Sequence, residues 1–317
     1  MRAVPFDDVF AQLTAVQLSA VDLARLRKWV AGISHPAECI ALIEHATRGR
    51  PCPRCACPRV HRCGQASGLQ RFRCLGCGRS FNALTGTPLA RLRKKEHWLA
   101  YLQCVLESRT VREAARVVGV HRTTSFRWRH RFVPGAMRDR PSTLSSIVEA
   151  DETYRLESQK GSRNMTRKPR KRGGVAKKRG ISGELDCLLV ARDRSGQTLD
   201  FHTGRGPVTV AQLEKCLKPA LLPDVLLISD SARSYRHFAK QAGIMHEMVN
   251  TKGGGRARGA IHIQNVNAWH GRFKSWLVRF RGVASRYLIN YSGWQRVLDA
   301  RRLTTPAHLL CAAVQLG

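Results

Sequence analysis

The stretch Ile147–Tyr154, IVEADETY, decides how this chain is read. Ile147, Val148 and Ala150 read as a buried strand that delivers one carboxylate, Asp151, at its end. Further along, Asp224–Ser231, DVLLISDS, repeats the device: the apolar run Val225–Ile228 leads to Asp230. Two carboxylates presented by two hydrophobic strands suit hard divalent cations, which prefer oxygen ligands. In two-metal sites such ions stabilise the attacking and leaving oxygens of a phosphodiester. An Asp after a strand is also ordinary turn chemistry, so the pair gains weight only from its surroundings.

Those surroundings are strongly basic. The chain of 317 residues carries 55 Lys and Arg against 22 Asp and Glu, a formal net charge of +33 that calls for a polyanionic partner. Hydrophobic residues make up 43%, too many for a disordered basic tail. The opening MRAVPFDDVF has no signal-peptide pattern, and no apolar run nears the ~18 residues of a spanning helix. Of 11 cysteines, six crowd between Cys52 and Cys77, a pattern that favours metal thiolates in a reducing compartment over disulfides. The expectation is a cytoplasmic, nucleoid-associated, multidomain protein with no membrane partner.

Outward from the two strands, the N-terminal third divides into modules. Residues 1–50 read as helical, with Phe10, Leu13, Val16, Leu18, Val21, Leu23, Leu26 and Val30 at helical spacing and a second helix over Pro36–Thr47. Residues 51–90 hold CPRC (Cys52–Cys55) and CLGC (Cys74–Cys77), separated by 18 residues. Two such knuckles set four thiolates at the corners of a tetrahedron, as a structural Zn²⁺ site requires. Cys57 and Cys63 read as bystanders, although either has the chemistry to replace a ligand. In residues 91–133, an amphipathic helix at Lys94–Glu107 precedes Thr110–Phe132, which has the helix-turn-helix shape with Gly119 at the turn. Arg122, Thr123, Thr124, Arg127 and Arg129 are expected to face outward there, as major-groove docking uses. Residues 134–146 read as a linker from their Pro, Gly and Ser content.

The C-terminal half alternates. After the Asp151 strand, residues 155–180 hold 11 Lys and Arg and a single acid, Glu157, and read as a flexible basic loop that runs along phosphates through Lys168, Arg170, Lys171 and Arg172. A hairpin, a helix, the Asp230 strand, a helix and a further strand follow, an order that calls for a mixed sheet flanked by helices over 147–300. Residues 301–317 read as a tail. The last long helix, Ile261–Phe280, packs Val266, Phe273, Leu277 and Phe280 inward. Asn267, His270 and Lys274 share a neighbouring face, able to meet the two aspartates across the sheet.

With the CxxC pairs, ADETY (Ala150–Tyr154), SDSARSY (Ser229–Tyr235), HIQNVNAWHGRFK (His262–Lys274) and GVASRYLINY (Gly282–Tyr291), the chain resembles insertion-sequence transposases that join an N-terminal zinc ribbon to an RNase H-like core of the DDE type. The resemblance implies a multidomain α+β protein ending in an RNase H-like mixed-sheet catalytic domain. It implies that Asp151, Asp230 and Asn267 hold Mg²⁺ or Mn²⁺, with Lys274 as the basic partner. Asn267 departs from the usual Glu and brings a carbonyl oxygen without a charge. The implied activity is Mg²⁺-dependent: binding of terminal inverted repeats in double-stranded DNA, cleavage at the element's ends, and joining of the 3′-hydroxyl to target DNA, by a homodimer or larger assembly. Rival readings are a DNA-binding regulator on an inactive nuclease core, a metal-dependent nuclease without strand transfer, and a basic RNA-binding protein. The last leaves the two carboxylate-bearing strands unexplained.

Overall fold

The computed structural model describes residues 19–171, 173–249 and 257–315, with side chains at 26–36 left aside. Phe10, Leu13, Val16 and Leu18 therefore lie outside the described residues, as do the side chains of Leu26 and Val30. One helix, α1 (Ala20–Ala46), stands where two were expected; the Ser19 hydroxyl caps it by accepting from the Asp22 amide at 3.1 Å. A three-stranded antiparallel sheet follows: β1 (Val60–Ala66), β2 (Leu69–Cys74) and β3 (Ser80–Asn82).

Next come α2 (Trp98–Leu106), α3 (Val111–Val118) and α4 (Arg122–Arg138). The helix-turn-helix geometry follows from local chemistry. Thr110 and Glu113 form a reciprocal capping box at the start of α3. Gly119, at φ +70°, ends α3 in the left-handed conformation that glycine adopts without steric penalty. His121 then caps α4 by accepting from the Thr123 amide.

The expected linker at 134–146 is corrected at its start, because α4 runs through Pro134 to Arg138. Its small residues serve packing, not slack. A Cβ on Gly135 would lie 2.8 Å from the Ala313 backbone nitrogen of α9 (Pro306–Val314). A Cβ on Gly293 of α8 (Leu288–Asp299) would lie 2.5 Å from the Cα of Met137. Helices cross so closely there that no side chain fits. We predict that Gly293→Ala destabilises the fold by about 3 kcal/mol, read as a lowered denaturation midpoint, since the clash is with backbone. The tail expected at 301–317 is likewise corrected: α9 buries Leu309, Leu310, Ala313 and Val314 against α4, α1 and α2. Its apolar positions recur at helical spacing, and Thr305 with Pro306 starts it.

The C-terminal domain is built on a five-stranded sheet. Strands β4 (Ile147–Leu156), β5 (Leu185–Asp193) and β6 (Thr198–Arg205) pair antiparallel; β7 (Leu226–Asp230) and β8 (Met245–Val249) add in parallel, giving the order β6-β5-β4-β7-β8. This is the RNase H-like arrangement the sequence suggested. Because side chains alternate across a strand, each face has its own core. Val148, Ala150, Leu189 and Leu227 pack under α5 (Val210–Cys216) and α6 (Arg233–Ala242) with Leu213, Tyr235 and Phe238. On the other face, Leu188, Val190 and Ile228 meet α7 (Gln264–Val278) through Val266, Trp269 and Phe273. That second core continues without a break into Trp98, Trp128 and Phe132 of the N-terminal helices. The helix-turn-helix and the sheet domain thus share one hydrophobic core. No helix among the described residues is long and apolar enough to cross a membrane.

Candidate active site and nucleic-acid interface

Asp151 does not end its strand, as expected, but sits in the middle of β4. The reason lies in the two neighbours. Pairing with β5 continues to Leu156, whereas pairing with the parallel strand β7 stops at Ala150 opposite Ser229. The next residues in that register are Asp151 and Asp230, side by side on strands about 4.8 Å apart. Both occupy the face that α7 covers, two positions along from Glu149 and Ile228 respectively. They stand at the carboxyl end of the parallel pair, where α/β sheets place their ligands. Asp230 accepts from the Ala232 amide at 3.0 Å, which orients its carboxylate.

The helix above is held by a residue the sequence reading missed. Glu149, fully buried, accepts from the Val266 amide at 2.9 Å and from Asn265 at 3.0 Å. Its carboxylate serves the free amides of the first turn of α7, where the helix dipole favours a negative charge. Arg194 at 2.7 Å and His262 at 3.2 Å complete its surroundings. The signal was available: Glu149 lies on the same strand face as Asp151, and an acid in a buried strand must have partners.

From that anchor α7 runs along β4, so that His270 reaches Asp151: its Nδ1 is 3.6 Å from Asp151 Oδ2. Asn267 is one turn earlier, and Lys274 one turn later, each on the helix edge beside His270 and each exposed. Burial and the charge of Asp230 push the Asp151 carboxyl up to about 6, against the pull of Lys274. Burial, with Lys274 nearby, pushes His270 down to about 3, so its ring is neutral at ordinary pH. A proton therefore competes with any cation for Asp151. Affinity for Mg²⁺ is predicted to be level above about pH 7 and to fall by about tenfold per pH unit below about 6. Calorimetric titration across that range checks it, and an unchanged affinity in acid would refute it.

Glu152, next in the strand, points the other way as alternation requires. Tyr235 donates to it at 2.5 Å and Tyr154 at 3.4 Å on the opposite face, where burial raises it to about 7. Glu247 pairs with Arg258 at 3.1 Å. Neither belongs to the Asp151–Asp230 pair.

The cysteine knuckles converge. The sulfurs of Cys52, Cys55, Cys74 and Cys77 all lie within 4.8 Å of one another, with Cys52–Cys77 at 3.7 Å and Cys55–Cys74 at 3.5 Å. Four sulfurs bound to one zinc at about 2.3 Å would stand about 3.8 Å apart, so the group fits a tetrahedral ion. The two knuckles are built alike. Ala56 (φ +56°) and Gly78 (φ +69°) follow them in the left-handed conformation, their amides donating to the carbonyls of Cys52 and Cys74. Gly76 is required by proximity, since a Cβ there would stand 3.0 Å from that of Cys57. Cys57 and Cys63 are not part of the group.

At the helix-turn-helix, Arg122, Thr123 and Arg127 are exposed and Thr124 half-buried, on the first turns of α4. Arg129 corrects the expectation. It is fully buried, its guanidinium 4.9 Å from the Trp294 ring and donating to the Arg109 carbonyl at 2.6 Å. Helical periodicity turns it to the core between Trp128 and Phe132, where its planar cation stacks on aromatic faces. Arg129→Ala is predicted to cost about 2 kcal/mol of stability, read by thermal melting, rather than to change DNA sequence preference.

The basic stretch 155–180 is more ordered than a free loop. Its first two residues extend β4, and its one acid organises much of the rest: buried Glu157 is ringed by Arg167 at 2.8 Å, Arg205 at 3.3 Å and Arg170 at 3.6 Å. Arg170 also pairs with Glu184 at 3.4 Å, so it is engaged within the protein, contrary to expectation. Lys168 and Lys171 are exposed; Arg172 lies outside the described residues.

Paired carboxylates thus stand at the end of the parallel strands of this sheet, in a chain that also holds a four-cysteine group and a helix-turn-helix. Residues 143–294 match the family model of the ISXO2-like transposase domain. A relative in transposable element ISH50 of Halobacterium salinarum is 25% identical over 244 residues, which cover 76% of this chain and 82% of the relative. Among solved structures, a simian T-cell lymphotropic virus intasome matches at 12% identity and a TM-score of 0.31, covering 62% of this chain and 67% of the other. A pre-cleavage Mos1 transpososome matches at 16% identity and a TM-score of 0.23, covering 69% and 78%. At those scores the two structures carry no argument about this chain.

Proposed function

We propose that this chain is an insertion-sequence transposase that binds the terminal inverted repeats of its own element, cleaves the ends by metal-assisted hydrolysis, and joins the freed 3′-hydroxyl to target DNA. The observation that supports the reading is that Asp151 and Asp230 come next in register on adjacent parallel strands, with His270 of α7 at 3.6 Å from Asp151. Burial and the charge of Asp230 raise the Asp151 carboxyl, as expected of a pair that gains by holding a cation. Asp151, Asp230 and Asn267 would hold Mg²⁺ or Mn²⁺. Bound there, the ions would supply a Lewis acid for the attacking and leaving oxygens of the phosphodiester.

The chain's own groups do the remaining work. Glu149 fixes the height and rotation of α7 over the carboxylates. Lys274, exposed two turns from Asn267, offers an ammonium to a phosphate lying across the site. Arg122, Thr123, Thr124 and Arg127 on α4 would read the repeat in the major groove, with Lys168 and Lys171 on the backbone nearby. The zinc-loaded ribbon would add a second recognition element. Because α4 and α7 share a core, DNA gripped by the first is held in fixed register to the carboxylates. Synapsis of two ends implies at least a dimer, assembled where the element's DNA lies, in the cytoplasm.

Incubation of labelled element ends with Mg²⁺, followed by offering a plasmid target, tests the proposal. Cleaved and joined products support it, cleavage alone favours a nuclease, and binding alone favours a regulator. Asn267→Glu would add a third negative charge. It is expected to preserve activity and to tighten Mg²⁺ by roughly tenfold; complete loss of cleavage in a folded protein would count against Asn267 as a ligand.

A further inference from the structure

We propose that His270 is a nitrogen ligand of the cation centre formed by Asp151 and Asp230, so that the centre is a mixed oxygen–nitrogen site that prefers Mn²⁺ to Mg²⁺. This inference rests on the metal-site reading above and deepens it.

Three observations carry it. The first is position: His270 is presented by the same helix as Asn267, one turn on, and its Nδ1 approaches Asp151 Oδ2 to 3.6 Å. That separation is too long for a hydrogen bond, whereas two donors on adjacent corners of an octahedral ion stand about 3 Å apart, so a small adjustment places both on one cation. The second is satisfaction. His270 is only 4% exposed, and its Nε2 has no hydrogen-bond partner. The other nitrogen, Nδ1, faces Asp151 and makes no hydrogen bond either, so its lone pair is available to a cation held by the carboxylates. The third is the ligand inventory. Asp151, Asp230 and Asn267 supply only two negative charges, one fewer than a set with Glu. Glu152 and Glu247 are turned to other partners, so the only further donor brought to Asp151 by α7 is the imidazole.

Nitrogen donors change selectivity. Mg²⁺ favours all-oxygen octahedra, while imidazole shifts a site towards transition ions, of which Mn²⁺ is the one that still accepts carboxylates and amides readily. Hence the preference for Mn²⁺ over Mg²⁺ should depend on His270.

The test uses the full chain with its zinc retained. Mn²⁺ is titrated against wild type, His270→Gln, His270→Ala and Asp151→Asn, with free Mn²⁺ followed by electron paramagnetic resonance and bound Mn²⁺ by pulsed measurement of nitrogen-14 coupling. Wild type is expected to show the coupling of a directly bound nitrogen. His270→Gln, which keeps a polar side chain of similar reach, should lose that coupling and weaken Mn²⁺ roughly tenfold, with Mg²⁺ (read by competition) changing by less than about threefold. His270→Ala should behave alike, and unchanged zinc content and melting temperature establish that each variant is folded. Mn²⁺ that depends on Asp151 but shows no such coupling in wild type, or the same coupling in His270→Gln, overturns the His270 assignment while leaving the carboxylate centre standing. Mn²⁺ binding indifferent to Asp151→Asn overturns both.

Discussion

Asp230→Ala is expected to lower end cleavage at least about 10³-fold while leaving affinity for the terminal repeat within about twofold. A thousandfold corresponds to a barrier raised by about 4 kcal/mol, the scale of removing charge stabilisation made only in the transition state. The separation of the two effects follows from the architecture. Asp230 ends β7 on the face beneath α7, whereas Arg122, Thr123 and Arg127 sit on the opening turns of α4. Among the described residues the Asp230 carboxylate makes one hydrogen bond, accepting from the Ala232 amide, so its truncation loses little of the fold. Asp151→Ala should match it in rate. Gel-shift binding set beside cleavage of the same labelled end provides the readout. Loss of binding in step with cleavage would mean the residue supports the fold and not the chemistry.

Cys74→Ser carries the second large effect. The sulfur it removes is fully buried and 3.5 Å from Cys55, and without it three thiolates cannot close a tetrahedron. Structural zinc contributes on the order of 10 kcal/mol to the folding of such small units. The ribbon's own apolar cluster is only Cys52, Cys74 and Phe81 with a few partly buried neighbours, so it has little else to hold it. Zinc content by atomic absorption should fall to near zero, and recognition of the repeat should be lost. The RNase H-like domain, whose sheet has a separate core on its α5–α6 face, should keep its own melting transition. A variant that retains one zinc per chain would show that Cys57 or Cys63 has taken the vacated place.

What could be read in the sequence, and what could not, divides along physical lines. The alternation of strands and helices, the knuckles and the helix-turn-helix were legible because each rests on local signals: apolar runs, CxxC spacing and a glycine at the turn. Their burial patterns match the expected stripes at Trp98, Leu102, Val118 and Phe273. The misreadings fell where long-range packing overrules composition. Gly135 and Pro134 look like a linker until α9 is found lying against them, and the helical spacing in the tail does not by itself reveal the α4, α1 and α2 surface that buries it. Arg129 looks like a phosphate contact until Trp294, far along the chain, supplies an aromatic face. Arg170 is drawn inward by Glu157 and Glu184, neither of which the local charge count could rank. In the site itself the two aspartates were visible, but the register that sets them abreast was not. Glu149 was legible as an acid in a buried strand, but its partner, the first turn of a helix more than a hundred residues away, was not.

The most direct test of the account is a crystal of the full chain grown with Mn²⁺ and its anomalous scattering measured above the manganese edge. The account predicts anomalous density between Asp151 and Asp230, within coordination distance of both carboxylates and on the side of the sheet that carries Asn267. Density elsewhere, with the two aspartates bare at saturating Mn²⁺, would contradict it.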